Sequence, residues 1–268
     1  MTDAAARLGS VGDTPRLDAE LLMAHAIGID REALLMTRMD DPAPPSFAGL
    51  VSRRLNHEPV AYITGVRAFW TIELAVGPGV LIPRADSETL IEAAVAHFAG
   101  GSGPALVLDL GTGSGALLLA ALDQWPHARG LGLDTSLAAV AIAQSNARKL
   151  NVEDRATISI GDWRGQGGPH DLVFCNPPYV ATAEAVPREV VDWEPASALF
   201  AGSDGLDDYR ALAPVLLKQI APGGVACVEI GSSQATAASA LFAAEGFAVA
   251  VRTDLGDRDR CLVLTRLT

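Results

Sequence analysis

Paired cysteines are missing from this chain of 268 residues: Cys175, Cys227 and Cys261 stand apart in apolar, strand-like runs with no C-x-x-C spacing. That argues against structural zinc and leaves buried, reduced thiols as the expected state. Long apolar runs are missing too, since no window approaches the ~18 uninterrupted apolar residues of a membrane span. The opening "MTDAAARLGSVGD" lacks a basic region followed by an apolar stretch, so a cytoplasmic protein is expected. Positive charge is scarce: 20 Lys and Arg face 32 Asp and Glu, for a net charge of −12. Of the 20, only Lys149 and Lys218 are lysines. Such a balance opposes a long polyanion, whose binding depends on cations that neutralise phosphates.

What is present is a globular composition, 49% hydrophobic and 19% charged, in a chain long enough for one large domain or two smaller ones. Residues 1–75 read as a small helical domain. "TPRLDAELLMAHAIG" sets Leu17, Leu21, Leu22 and Ala24 to Ala26 on one stripe, with Gly28 as its stop. "DDPAPPS" is a turn-rich piece, and "FAGLVSRRLNHEPVAYITG" predicts a further helix closed off near Pro59. "FWTIELAVGPGVLIPR" predicts a hairpin, and residues 76–103 are expected as hairpin and linker. From residue 104 to 268, seven strand-like segments alternate with helical ones. That pattern predicts an α/β fold, a mostly parallel Rossmann-like sheet with helices on both faces. In such open sheets ligands sit beyond the carboxyl ends of the strands.

Chemistry gathers at those ends. "LDLGTGSGALLLA" runs from strand through Gly111, Thr112, Gly113, Ser114 and Gly115 into a helix, the setting of a loop that brings backbone close to a nucleotide-type ligand. The spacing departs from a dinucleotide G-x-G-x-x-G. Asp134, 23 positions after Gly111, ends the second strand, where a carboxylate can accept both ribose hydroxyls; alternatively Asp134, Thr135 or Ser136 caps the helix that follows. At the third strand end Asp162 is placed to accept from an exocyclic amine, and Trp163 to lie beside a flat base.

"FCNPPYV" ends the fourth strand, which the topology sets beside the first, so Asn176 lies next to the glycine loop and the cofactor. Proline lacks an N–H and fixes φ, so Pro177 and Pro178 stiffen the backbone and leave the carbonyls of residues 176 and 177 free to accept. Two acceptors at fixed separation match the two hydrogens of a planar –NH2, with Tyr179 packing against the flat group. The tetrad reads as a clamp for an amine or amide nitrogen, and no metal cluster is called for.

"DLGTGSG", "LDTS" and "NPPY", in this order, resemble the class I S-adenosylmethionine-dependent methyltransferases that act on amino or amide nitrogen. "RRLNHEPVAYITGVRAFW", "LIPRADSETL", "GDW", "WEPASALFAG" and "GDRDR" narrow the likeness to the peptide chain release factor glutamine N5-methyltransferases, over about residues 15 to 267. The resemblance implies a seven-stranded methyltransferase sheet, S-adenosylmethionine as cofactor, S-adenosylhomocysteine as product and no metal. It implies methylation of the glutamine in the Gly-Gly-Gln motif of release factors, in support of translation termination, with the helical domain helping to hold that substrate. It assigns the cofactor loop to Gly111 through Gly115, ribose to Asp134, adenine to Asp162 and Trp163, and the glutamine to Asn176, Pro177, Pro178 and Tyr179. A monomer without direct nucleic-acid or membrane binding is expected. Ala85 stands where the family usually has proline, which bears on the shape of the loop around Arg84 and Asp86.

The nearest rival, a methyltransferase for exocyclic amines of DNA or RNA, shares the clamp but calls for a basic face and a base-flipping or target-recognition segment. A nicotinamide oxidoreductase would leave "NPPY" unexplained. A catalytically silent binding module would not need the full set of site residues.

Overall fold

Gly28 stops the first long helix, as its position predicts, by adopting φ +74°. The structure, a computed structural model, describes residues 1–39, 41–164 and 168–267; Asp40, which opens the turn-rich piece, lies outside them. Two compact units are distinguished: residues 1–66, 76–78 and 186–194 form one, and residues 67–75, 79–185 and 195–268 the other.

The first unit is built on helices α1 (Thr2–Leu8), α2 (Pro15–Ile27), α3 (Arg31–Thr37), α4 (Pro45–Leu55) and α5 (Val60–Thr64). Leu8, Leu22, Leu34, Phe47 and Val51 meet in its apolar core. The stripe expected on α2 is only partly the buried one. Leu17 is exposed, whereas Asp18 and Glu20 are buried, because arginines from neighbouring helices meet them there. Pro59 opens α5 rather than closing α4, which has already ended at Leu55; proline suits a helix start, where its missing N–H costs nothing. The short helix α9 (Arg188–Val191), far along the chain, belongs to this unit.

There Arg54 is buried, donating to Asp18 at 2.7 Å and pairing with Glu189 at 2.5 Å. Arg54→Ala strands the Asp18 carboxylate in the interior, so it is expected to cost about 3–5 kcal/mol in denaturant unfolding. A cost below about 1 kcal/mol, the worth of a surface pair, would show that the network is not structural.

In the second unit the hairpin falls at β1 (Val66–Phe69) and β2 (Ile72–Ala75), and α6 (Glu88–His97) occupies much of the stretch expected as hairpin and linker. The main sheet comprises β3 (Leu106–Leu110), β4 (Arg129–Asp134), β5 (Ala156–Ile160), β6 (His170–Cys175), β7 (Ile220–Glu229), β8 (Phe247–Thr253) and β9 (Asp259–Arg266). Its order is β5-β4-β3-β6-β7-β9-β8, and β9 runs antiparallel to both its neighbours. This is the expected seven-stranded, mostly parallel sheet.

Alternation along the strands feeds two cores. Val107, Leu172, Phe174 and Val225 point to the face covered by α6, α7 (Ala116–Gln124) and α8 (Leu137–Lys149). Leu108, Leu110, Val173 and Val228 point to the face covered by α10 (Asp207–Leu216) and α11 (Ala235–Ala244). Cys175, Cys227 and Cys261 are free and buried. The chain leaves β3 toward β4 on one side and β6 on the other. That point of reversal opens a crevice at the carboxyl ends of the strands.

Candidate active site

The crevice is a cavity of about 290 Å³ within the second unit. The glycine loop forms its floor. Gly111, Gly113 and Gly115 take φ of +74°, +55° and +87°, so the loop turns through conformations that other residues adopt only under strain. At Gly111 the close approach matters as well: a Cβ there would come within 3.2 Å of the Trp163 ring. The amides of Gly111 and Thr112 both donate to the Leu133 carbonyl, tying the loop to the end of β4.

Asp134 completes that tie. One carboxylate oxygen accepts from the Gly113 amide at 2.9 Å and the other from the Ser136 amide at 2.8 Å. The cap of α8 falls to Ser136, whose hydroxyl accepts from the Ala139 amide at 3.3 Å. That leaves Asp134 on the cavity wall with acceptor capacity in hand. Trp163 lies on the wall too, its indole donating to Asp208 at 3.0 Å. Asp162 also borders the cavity, but both its oxygens accept from the Arg164 guanidinium, which holds its carboxyl below the ordinary range.

Of the tetrad, Asn176 and Pro178 line the cavity; Pro177 is buried just beside them, and Tyr179 is turned to the Glu229 carboxylate, to which its hydroxyl donates at 3.2 Å. Burial, reinforced by Glu229, pushes the Tyr179 phenol well up, so it remains a donor. Gly115 stands behind the wall as the N-cap of α7. The Asn176 amide nitrogen donates to the Ser87 hydroxyl at 3.3 Å. Among the described residues no cluster of His, Cys, Asp and Glu could hold a metal ion, and no helix is long and apolar enough to cross a membrane.

Several residues at the site carry no signal that sequence reasoning used. Asp208 and Glu229 reach it through tertiary pairing, and Ser87 sits unmarked inside the "LIPRADSETL" segment. Asp109, two residues before Gly111 in the quoted strand, was legible as a position but not as a role. It is 1% exposed and accepts from the Thr112 hydroxyl at 2.6 Å, while its other oxygen has no partner among the described residues. Burial pushes its carboxyl up to about 7, against the Thr112 and Leu118 hydrogen bonds that favour the anion.

A stability consequence follows. The folded chain holds the Asp109 proton more tightly than the unfolded chain does, so this group's contribution is fully present below pH 3.8 and is lost as pH rises through about 7. Asp109→Asn is expected to flatten the decline in unfolding free energy across that window, a change on the order of a few kcal/mol. Denaturant unfolding from pH 5 to 8 measures it, and parallel profiles for the two proteins would contradict it.

Residues 1–65 match a family described as the PrmC N-terminal domain, and residues 87–193 match the methyltransferase small domain. The chain is 42% identical over 261 residues to the release factor glutamine methyltransferase of Rhodospirillum rubrum, covering 95% of this chain and 80% of that one. It is 42% identical over 274 residues to that of Cereibacter sphaeroides, covering 98% and 96%. Among solved structures, a methyltransferase from Pyrococcus furiosus superposes with a TM-score of 0.54 at 15% identity, covering 81% of this chain and 98% of that one, a likeness of fold.

Proposed function

The chain belongs to the release factor glutamine methyltransferase family, and from that premise we infer that it methylates the side-chain amide nitrogen (N5) of the glutamine in the Gly-Gly-Gln motif of peptide chain release factors, in support of translation termination. The observation that carries this reading is Asn176, set on the cavity wall at the end of β6 with its amide nitrogen already bound to Ser87. The helical unit, residues 1–66, 76–78 and 186–194, helps to hold the release factor, and the unit that holds the sheet and the cavity carries the chemistry. A protein substrate also suits a net charge of −12 better than a nucleic acid does.

The cavity suits S-adenosylmethionine on chemical grounds. The unpartnered oxygen of Asp109 offers a buried acceptor to a cationic ligand, Asp134 keeps acceptor capacity for a ribose, and Trp163 presents an apolar ring over Gly111. These residues, with the loop from Gly111 to Gly115 and Asp162, would hold the cofactor, which supplies a methyl group activated on a sulfonium.

The chain's own part is to orient. An amide nitrogen is a poor nucleophile because its lone pair is delocalised. The Asn176 side-chain oxygen and the Pro177 carbonyl accept its two N–H hydrogens and hold it ready, and positioning of this kind is worth up to about 7–11 kcal/mol. No general base is required if the proton leaves after transfer. Incubating a release factor with the protein and S-adenosylmethionine should add the mass of one methylene to the peptide carrying Gly-Gly-Gln. Label entering nucleic acid instead would favour the rival methyltransferase reading.

A further inference from the structure

Serine immediately before a helix ordinarily turns its hydroxyl onto a backbone N–H of the first turn. Ser87 instead closes the 3-10 turn Ala85–Ser87 in helical backbone conformation, where no such bond is open to it. It is 4% exposed, and its hydroxyl oxygen accepts from the Asn176 amide instead. Behind it stands Glu229, the last residue of β7 and 1% exposed. One Glu229 oxygen accepts from Tyr179, and the other has no hydrogen-bond partner among the described residues. Burial pushes this carboxyl up, and the Ser87 hydroxyl is the strongest of the neighbours that favour its anion, ahead of Arg260 and Tyr179. Arg260 also pairs with Asp86 at 3.2 Å, anchoring the turn that carries Ser87.

An asparagine amide has two nearly isosteric ends, one that donates and one that accepts, and a half-turn exchanges them. A hydroxyl by itself does not choose between them, since it can donate or accept. A hydroxyl whose proton is drawn toward a carboxylate offers only lone pairs, and therefore selects the NH2 end. We propose that Ser87, whose hydroxyl oxygen accepts from the Asn176 amide nitrogen, fixes that amide with its nitrogen inward, so that the oxygen faces the substrate. Ser87 and Glu229 are positioning residues that act through Asn176. This deepens the reading given under Proposed function and rests on it.

Ser87→Val and Ser87→Thr have nearly equal volume and differ in the hydroxyl. Ser87→Val is expected to lower kcat on a release factor about 10²-fold, the scale of a misplaced reacting group, with cofactor affinity by calorimetry unchanged. Ser87→Thr should recover most of that loss. Ser87→Val combined with Glu229→Gln should lose no more than the worse single variant, as expected of residues acting in one chain. The bond is also read without substrate: in nitrogen-resolved NMR, one of the two Asn176 side-chain protons, assigned against Asn176→Ala, should shift in Ser87→Val and return in Ser87→Thr. Valine and threonine variants of equal kcat, or an unmoved Asn176 resonance, would overturn the inference. An unmethylated release factor with the wild-type protein would instead refute the functional reading, and the resonance would still decide the role of Ser87.

Discussion

Asn176→Ala is expected to reduce methyl transfer by about 10³-fold or more while leaving cofactor affinity close to that of the wild type. In the proposed clamp the side chain supplies one of two acceptors for the substrate nitrogen; the other, the Pro177 carbonyl, is backbone and survives. With one acceptor the carboxamide can rotate about the remaining hydrogen bond, and the near-attack arrangement becomes a minor one. On the proposed reading the cofactor is held by the loop from Gly111 to Gly115, by Asp134 and around Trp163, none of which bonds to the Asn176 side chain. Steady-state kinetics with a release factor and calorimetry with S-adenosylhomocysteine separate the two effects. Equal losses of turnover and cofactor affinity would place Asn176 with the cofactor alone.

The opposite division is expected of Asp134→Ala. Its carboxylate tethers the glycine loop through Gly113 and the start of α8 through Ser136, and in the proposed reading it also supplies the acceptors for a ribose. Hydrogen bonds to a charged group contribute about 1.5–3 kcal/mol each, so losing them should weaken cofactor binding by 10²-fold or more, roughly. Asp134→Asn, which keeps one accepting oxygen, should fall between. With cofactor raised to saturation, much of the turnover should return, since nothing in the amide clamp depends on Asp134. If turnover stays lost at saturation, Asp134 acts in the transfer step as well.

Local grammar made much of this site legible. Gly111, Asp134 and Asn176 each end a strand, and a parallel sheet gathers strand ends by construction, so reading the strands already places these residues together. Proline's fixed φ and missing N–H likewise read directly from "NPPY". What stayed hidden depends on pairings across the chain. Ser87 meets Asn176 over 89 positions, Tyr179 meets Glu229 over 50, and Trp163 meets Asp208 over 45. No periodicity encodes such partners. In the helical unit the same limit appears on α2, where Asp18 and Glu20 interrupt the apolar stripe yet are buried, because Arg54 and Arg31 arrive from other helices. Pro59 is visible as punctuation, but its sense, start or stop, is decided by α4 ending at Leu55 and α5 beginning at Val60.

A crystal structure of the protein with S-adenosylhomocysteine and a glutamine-containing release factor peptide tests the amide clamp most directly. The carboxamide nitrogen should donate one hydrogen to the Asn176 side-chain oxygen and the other to the Pro177 carbonyl. A carboxamide bound elsewhere, or an Asn176 that offers its nitrogen rather than its oxygen to the glutamine, would contradict it.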